Sequence, residues 1–349
     1  MNNFFAASNS AQGFKCYYND CFANLDKLYI IKGGPGTGKS GLMRRILEKA
    51  VLSGYDVEKF YCSSDQNSLD GIIIYRDKKS IGFIDGTNPH SFDMRIAGAR
   101  DNIINLGEFW DEDLLVGKRD DIISLSAQKS REYEVAYKYL CSCKNLSAVI
   151  MLYMSECLNA DKMKSASKKL TSNIPEGEKY TQDLRLIDSV GMRGRVRFDS
   201  FENMANKIYL VGDMFGVGNV MLELILGCLK EKKRSVYLSL DPICPDRVNG
   251  IFDRGLGYAY VLSDGRAEGI SSGKDVIHVN IKRFILGDKL AECKSDIKYA
   301  NALYKKSLLG AIETFEKIEK YHFALEKIYG EAMDFSGVDK VVDRYCNMI

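Results

Sequence analysis

The residues best suited to chemistry stand together near the start of the chain: Gly33, Gly34, Pro35, Gly36, Thr37, Gly38, Lys39 and Ser40. Glycines at 33, 36 and 38 permit backbone angles and close approach that a Cβ forbids, so successive N–H groups can surround phosphates at a helix N-terminus. Lys39 then reaches the β- and γ-phosphates of a nucleoside triphosphate, and the Ser40 hydroxyl serves as a Mg²⁺ ligand. The ion also calls for a carboxylate at the end of a second buried strand. The run Ser80 to Asp85, SIGFID, offers Asp85, an aspartate that could equally cap a turn. Asp65 follows another strand-like run, Val57 to Cys62, and Asp70 comes five residues later. At the C-terminal strand ends of an open sheet, Asp65 would contact substrate or orient a water, unless it only satisfies its own loop backbone. His90 reads as a proton carrier or a loop bystander. The expected catalytic set is Lys39, Asp85 and Asp65, with Ser40 and Asp85 on the metal.

These side chains need a strand, a loop and a helix in that order. Lys27 to Lys32, KLYIIK, is a short apolar run closed by lysines, as in a strand buried on both faces of a parallel sheet. After the loop, Leu42, Met43, Ile46, Leu47, Ala50 and Val51 recur at helical spacing while Arg44, Arg45, Glu48 and Lys49 fall between them. The glycine loop therefore opens an amphipathic helix.

Composition narrows the partners. A chain of 349 residues, 46% hydrophobic, is long enough for about two domains. Its 49 Lys+Arg against 47 Asp+Glu leave a net +2, which offers no field for a polyanion, so nucleic acid is not expected. Residues 1–13 lack the basic start and apolar run of a secretory signal, and no stretch approaches roughly 18 uninterrupted apolar residues. A cytoplasmic protein without a membrane span is expected. Ten cysteines with no Cys-x-x-Cys and three well-separated histidines show no short-spaced zinc motif, so the cysteines read as small buried hydrophobes in a reducing compartment.

The chain also repeats itself. Asp26 to Ile31, DKLYII, recurs as Asn206 to Val211, NKIYLV, 180 positions on. In that register Gly36 meets Gly216 and Gly38 meets Gly218, whereas Gly33 meets Asp213, Lys39 meets Asn219 and Ser40 meets Val220. Asp65 and Asp70 are matched with Asp241 and Asp246, Asp85 and Gly86 with Asp264 and Gly265. Long helical stretches, Ser130 to Glu156 and Asp296 to Tyr329, follow in each half, the latter with Leu303, Leu308, Ile312, Phe315 and Ile318 as a buried stripe. The expected organisation is an active domain over 1–165, a linker over 166–185 and a degenerate repeat over 186–349. Having lost the lysine and the hydroxyl, the second loop is expected to bind no Mg-nucleotide and to buttress or regulate the first. Arg193, Arg195 and Arg197 cluster where the repeat begins, placed either to steady a transferring phosphoryl group across the interface or simply to be solvated.

The chain resembles a family of uncharacterised bacterial duplicated P-loop ATPases, some labelled nucleotide kinases. The resemblance rests on Phe5-Ala6-Ala7 through Gly13-Phe14, Lys32 to Ser40, Asp65 with Asn67 to Asp70, Asp85-Gly86-Thr87 with Pro89-His90, and Ile104 to Asp111. It implies a tandem P-loop fold and ATP binding. The expected architecture is α/β: two tandem P-loop NTPase-like, doubly wound, mostly parallel sheets, each with a helical extension. The expected activity is a Mg²⁺-dependent ATPase. The alternatives are a kinase passing the γ-phosphate to a small-molecule acceptor, or a nucleotide-sensing module that binds a protein partner without turnover. Asn206-Lys207 is followed by Ile208-Tyr209 rather than by x-Asp, which argues against guanine selection.

Overall fold

The computed structural model describes residues 2–90, 92–263 and 274–349. In the first half, β1 (Asn2–Phe5) leads to the hairpin β2 (Ala7–Ser10) and β3 (Gly13–Cys16), then α1 (Tyr18–Phe22) and β4 (Lys27–Lys32). α2 (Lys39–Leu52), β5 (Asp56–Tyr61), β6 (Leu69–Arg76), β7 (Lys79–Asp85) and β8 (Asp101–Asn105) complete the sheet layer. Three helices follow: α3 (Glu112–Gly117), α4 (Arg119–Glu156) and α5 (Ala160–Thr171). The second half begins with β9 (Thr181–Leu184), the hairpin β10 (Asp188–Gly191) and β11 (Gly194–Arg197), α6 (Ser200–Met204) and β12 (Lys207–Gly212). It continues through α7 (Val217–Glu231), β13 (Ser235–Leu240), β14 (Val248–Asp253), β15 (Tyr258–Ser263) and β16 (Asp275–Val279), then α8 (Gly287–Glu331) and α9 (Phe335–Cys346).

Two six-stranded sheets result, ordered β1-β5-β6-β7-β4-β8 and β9-β13-β14-β15-β12-β16, the same order in each half. In each, one strand, β6 or β14, runs against the other five. β4 is an interior strand, between β7 and the edge strand β8, because its Leu28, Ile30 and Ile31 are apolar on both faces and fully buried there. The α/β architecture with two mostly parallel sheets thus follows from the buried runs. The strands correct the matching of Asp65 and Asp70 with Asp241 and Asp246: β5 and β13 begin at 56 and 235, β6 and β14 at 69 and 248, so Cys62 stands opposite Asp241, Asp65 opposite Cys244 and Asp70 opposite Asn249. Asp264 and Gly265 lie outside the described residues.

The helical extensions do not stay with their own sheets. α4 and α8 pair antiparallel, with Lys129 beside His322, Tyr139 over Gly310 and Cys143 beside Tyr304. Ala136, Leu140 and Cys143 pack with Ala311, Phe315 and Ile318 in the seam, which accounts for much of the stripe expected on the second helix. At each end the chain then crosses over. Asp111 N donates to Ala332 O and Asp334 N to Phe109 O; the mirror pairs are Leu286 N to Cys157 O and Asn159 N to Phe284 O. Consequently α9 packs on α2 of the first half and α5 on α7 of the second. Residues 166–185, read from the sequence as linker, hold part of α5 and all of β9. The buried face of α5 sets Ser167 and Thr171, whose hydroxyls bond back to helix carbonyls, among Met163, Ala166 and Leu170, so its apolar period is short and half polar.

A buried ion pair joins the sheets. Arg185 Nε lies 2.9 Å from Glu58 Oε2, both side chains about 5% exposed, and Tyr237 donates to Glu58 Oε1 at 3.3 Å. The guanidinium sits 5.2 Å from the Phe60 ring and 4.9 Å from the Tyr237 ring. Arg185→Met strands the Glu58 carboxylate and is expected to lower unfolding stability by about 3–5 kcal/mol, with Arg185→Met/Glu58→Gln recovering most of it. Urea unfolding of both variants checks this; a loss below about 1 kcal/mol for the single variant would contradict it.

Candidate functional site

The loop between β4 and α2 is shaped as its glycines require. Gly36 and Gly38 have φ of 69° and 88°, in the left-handed region. A Cβ on Gly36 would also collide with the Glu326 carbonyl of α8, so the loop is seated directly against the other half's helix. Thr37, fully buried, donates to Gly34 O at 2.9 Å and closes the turn. Lys39, the first residue of α2, is drawn back over the loop: its Nζ is 3.0 Å from Gly33 O, 2.5 Å from Gly34 O and 3.6 Å from Asp85 Oδ2. Ser40 Oγ accepts from Leu69 N at 3.0 Å, tying the helix start to β6.

Asp85, at the end of β7 beside β4, accepts from Thr87 N at 2.8 Å and from the Thr87 hydroxyl, which also lies 3.0 Å from Gly33 O. Burial raises its pKa above the ordinary carboxylate range, and the Lys39 ammonium opposes that rise. Ser40 and Asp85 are hard oxygen donors lining one cavity, a donor set that fits Mg²⁺. Asp65 also lines the cavity, but its Oδ1 accepts from Asn67 N at 3.1 Å, a loop role it fills whether or not substrate is present.

The cavity, about 480 Å³, is completed by residues that sequence reasoning did not single out. Lys129 comes from α4, His322 and Glu326 from α8, Phe335 from α9 and Met192 from the tip between β10 and β11. Lys129 Nζ lies 3.2 Å from His322 Nδ1, and burial pushes the Lys129 pKa down. Glu326 is held below the ordinary carboxylate range by its bond to His322, with the charges of His322, Lys39 and Lys129 acting the same way. Lys39 and Lys129 thus both line the cavity, alongside the carboxylates of Asp65, Asp70, Asp85 and Glu326. The only sequence signal of Lys129, His322 and Glu326 was helical phase on elements whose crossing was not legible. A second chamber, also about 480 Å³, adjoins the first and is walled by Phe14, Tyr133, Tyr137, Leu325 and Tyr329.

His90 is not a loop bystander. It is 6% exposed, stacks on Tyr18 at 5.1 Å between ring centres and places Nε2 2.9 Å from Asp70 Oδ2. Burial opposes its proton, but the Asp70 carboxylate outweighs that and raises its pKa well above the ordinary value. The three arginines, by contrast, do not reach the cavity. Arg195 is bidentate to Asp188, Arg197 pairs with Glu202 and Asp199, and Arg193 pairs with Glu319 at 3.2 Å. The hairpin delivers Met192 instead: its N–H donates to Ser64 O, so the backbone ahead of the arginines is what docks on the first half.

The corresponding loop of the second half is satisfied from within. Asp213, which replaces Gly33, accepts from Gly218 N at 2.8 Å and Gly216 N at 3.3 Å. A carboxylate thus occupies the N–H cradle that Gly33 leaves open to an external anion. Asn219, matched with Lys39 in the sequence register, donates to Val248 O at 2.8 Å, the counterpart of the bond that ties Ser40 to Leu69 in the first half. No protein-family model matches this chain, and neither a curated protein nor a solved structure shows significant similarity to it.

Asp213→Ala is expected to lower stability by about 1–3 kcal/mol, because two cradle N–H groups lose their acceptor. Added phosphate should recover more of this loss in the variant than it adds to the parent. Thermal unfolding with and without phosphate checks this; an equal phosphate effect on both proteins would contradict it.

Proposed function

We propose that this chain is a P-loop ATP-binding protein that hydrolyses MgATP at the loop Gly33 to Ser40, while its second loop carries no nucleotide. The observation that carries the reading is the contrast between the two cradles: the first, open, meets Lys39 and Lys129, and the second is filled by Asp213. In the first, the loop N–H groups and Lys39 bind the phosphates and stabilise the charge that develops on the γ-phosphoryl oxygens. Lys129, delivered by α4, adds a second cation from the opposite side. Ser40 and Asp85 would hold Mg²⁺, which when bound neutralises charge on the β- and γ-oxygens. α8 and α9 lie against the loop, with Glu326 and Tyr329 at Gly36 and Gly34 and Phe335 and Val338 at Gly38.

The adjoining chamber walled by Tyr133, Tyr137 and Tyr329 supports a second reading, in which an acceptor takes the phosphoryl group in place of water. Both readings are tested by following γ-labelled ATP with Mg²⁺, alone and with a small-metabolite fraction. Free phosphate from the purified protein, reduced about 100-fold or more in Lys39→Ala, is the expected result. Label appearing on a metabolite assigns a kinase. Saturable binding with no turnover in either condition would overturn catalysis and leave a nucleotide sensor.

A further inference from the structure

We propose that Cys62, Asp70 and His90 bind a divalent transition-metal ion, zinc by the chemistry of the donors, at the wall of the cavity; this inference stands independently of the nucleotide reading. The three residues are far apart in sequence and are assembled by topology. Cys62 follows β5, Asp70 is the second residue of β6 and His90 lies five residues beyond β7. Since β5, β6 and β7 are neighbours and β6 runs opposite to the other two, these positions meet at one edge of the sheet.

One ligand atom from each residue lies within 4.8 Å of the others. Bond lengths of about 2.3 Å to sulfur and 2.0–2.2 Å to nitrogen and oxygen put tetrahedral zinc ligands roughly 3.3–3.8 Å apart, so small side-chain rotations close the set around an ion. Two buried polar atoms in the cluster point to a missing partner. Asp70 Oδ2 and His90 Nδ1 make no aligned hydrogen bond, although the residues are only 5% and 6% exposed and the Cys16 and Cys62 thiols lie beside the imidazole. The 2.9 Å approach of His90 Nε2 to Asp70 Oδ2 is an ion-pair contact without hydrogen-bond alignment. Orphaned buried groups of this kind are costly, and a metal satisfies them.

Thiolate, imidazole and carboxylate together favour zinc over the hard cations, which distinguishes this set from the all-oxygen pair Ser40 and Asp85. All three residues also line the cavity. Three protein ligands leave a fourth position open, the arrangement of a zinc site that takes a water or a ligand oxygen rather than a closed structural one.

The test is metal analysis of the full chain, purified without chelators from zinc-supplemented cells, beside Cys62→Ser, His90→Gln and Lys39→Ala. About one zinc per chain is expected in the parent and in Lys39→Ala, with affinity at least about 10-fold weaker in the other two. Cobalt added to the metal-free parent should give a thiolate-to-cobalt absorption band that Cys62→Ser lacks. Circular dichroism establishes that each variant is folded; if Cys62→Ser does not fold, His90→Gln and the cobalt band of the parent decide. A parent with no zinc and no cobalt–thiolate band, or zinc affinity unchanged in folded Cys62→Ser and His90→Gln, would overturn the site and leave Asp70 and His90 a plain ion pair.

Discussion

The antiparallel pairing of α4 with α8 is the constraint on which the rest of the molecule depends. Helices of 38 and 45 residues, about 57 and 68 Å long, extend well beyond the sheets they follow and must bury their apolar stripes on each other. Running antiparallel, each ends over the opposite half's loop. Glu326 and Tyr329 of α8 lie against Gly36 and Gly34, and Met151 of α4 lies against Gly216. Neither half therefore has a complete site of its own, because the cover of each loop is encoded in the other repeat.

Within that frame the two loops show one physical requirement met in two ways. A turn of left-handed glycines at a helix start presents N–H groups that need negative charge. At the first loop the residue after the strand is Gly33, which brings no acceptor of its own; in the reading proposed above this cradle takes a phosphate, and Lys39 and Lys129 line the cavity beside it. At the second it is Asp213, and the chain supplies its own carboxylate. The second loop is shorter, with four residues between β12 and α7 against six between β4 and α2, yet Gly216, like Gly38, caps its helix with a left-handed φ.

Much of this was legible in the sequence because it is local. The apolar run KLYIIK, the glycine loop and the helix after it are consecutive, and the repeat sets Asp213 opposite Gly33 in the sequence itself. What was not legible depends on long-range crossing. The start of α4 is largely exposed even at Ile123, so its first turns carry no buried stripe, and the α5 face mixes Ser167 and Thr171 with Met163, Ala166 and Leu170. The spacing of Cys62, Asp70 and His90 matches no short metal motif because three strand ends, not one helix or loop, bring them together. Arg193, Arg195 and Arg197 looked available only because their acidic partners Glu319, Asp188 and Glu202 were not apparent in sequence.

The central claim is that one cradle is open to nucleotide and the other is filled. Calorimetric titration of the full chain with a non-hydrolysable MgATP analogue tests it most directly. One site per chain is expected, lost in Lys39→Ala. Two sites per chain, or one that survives Lys39→Ala, would contradict it.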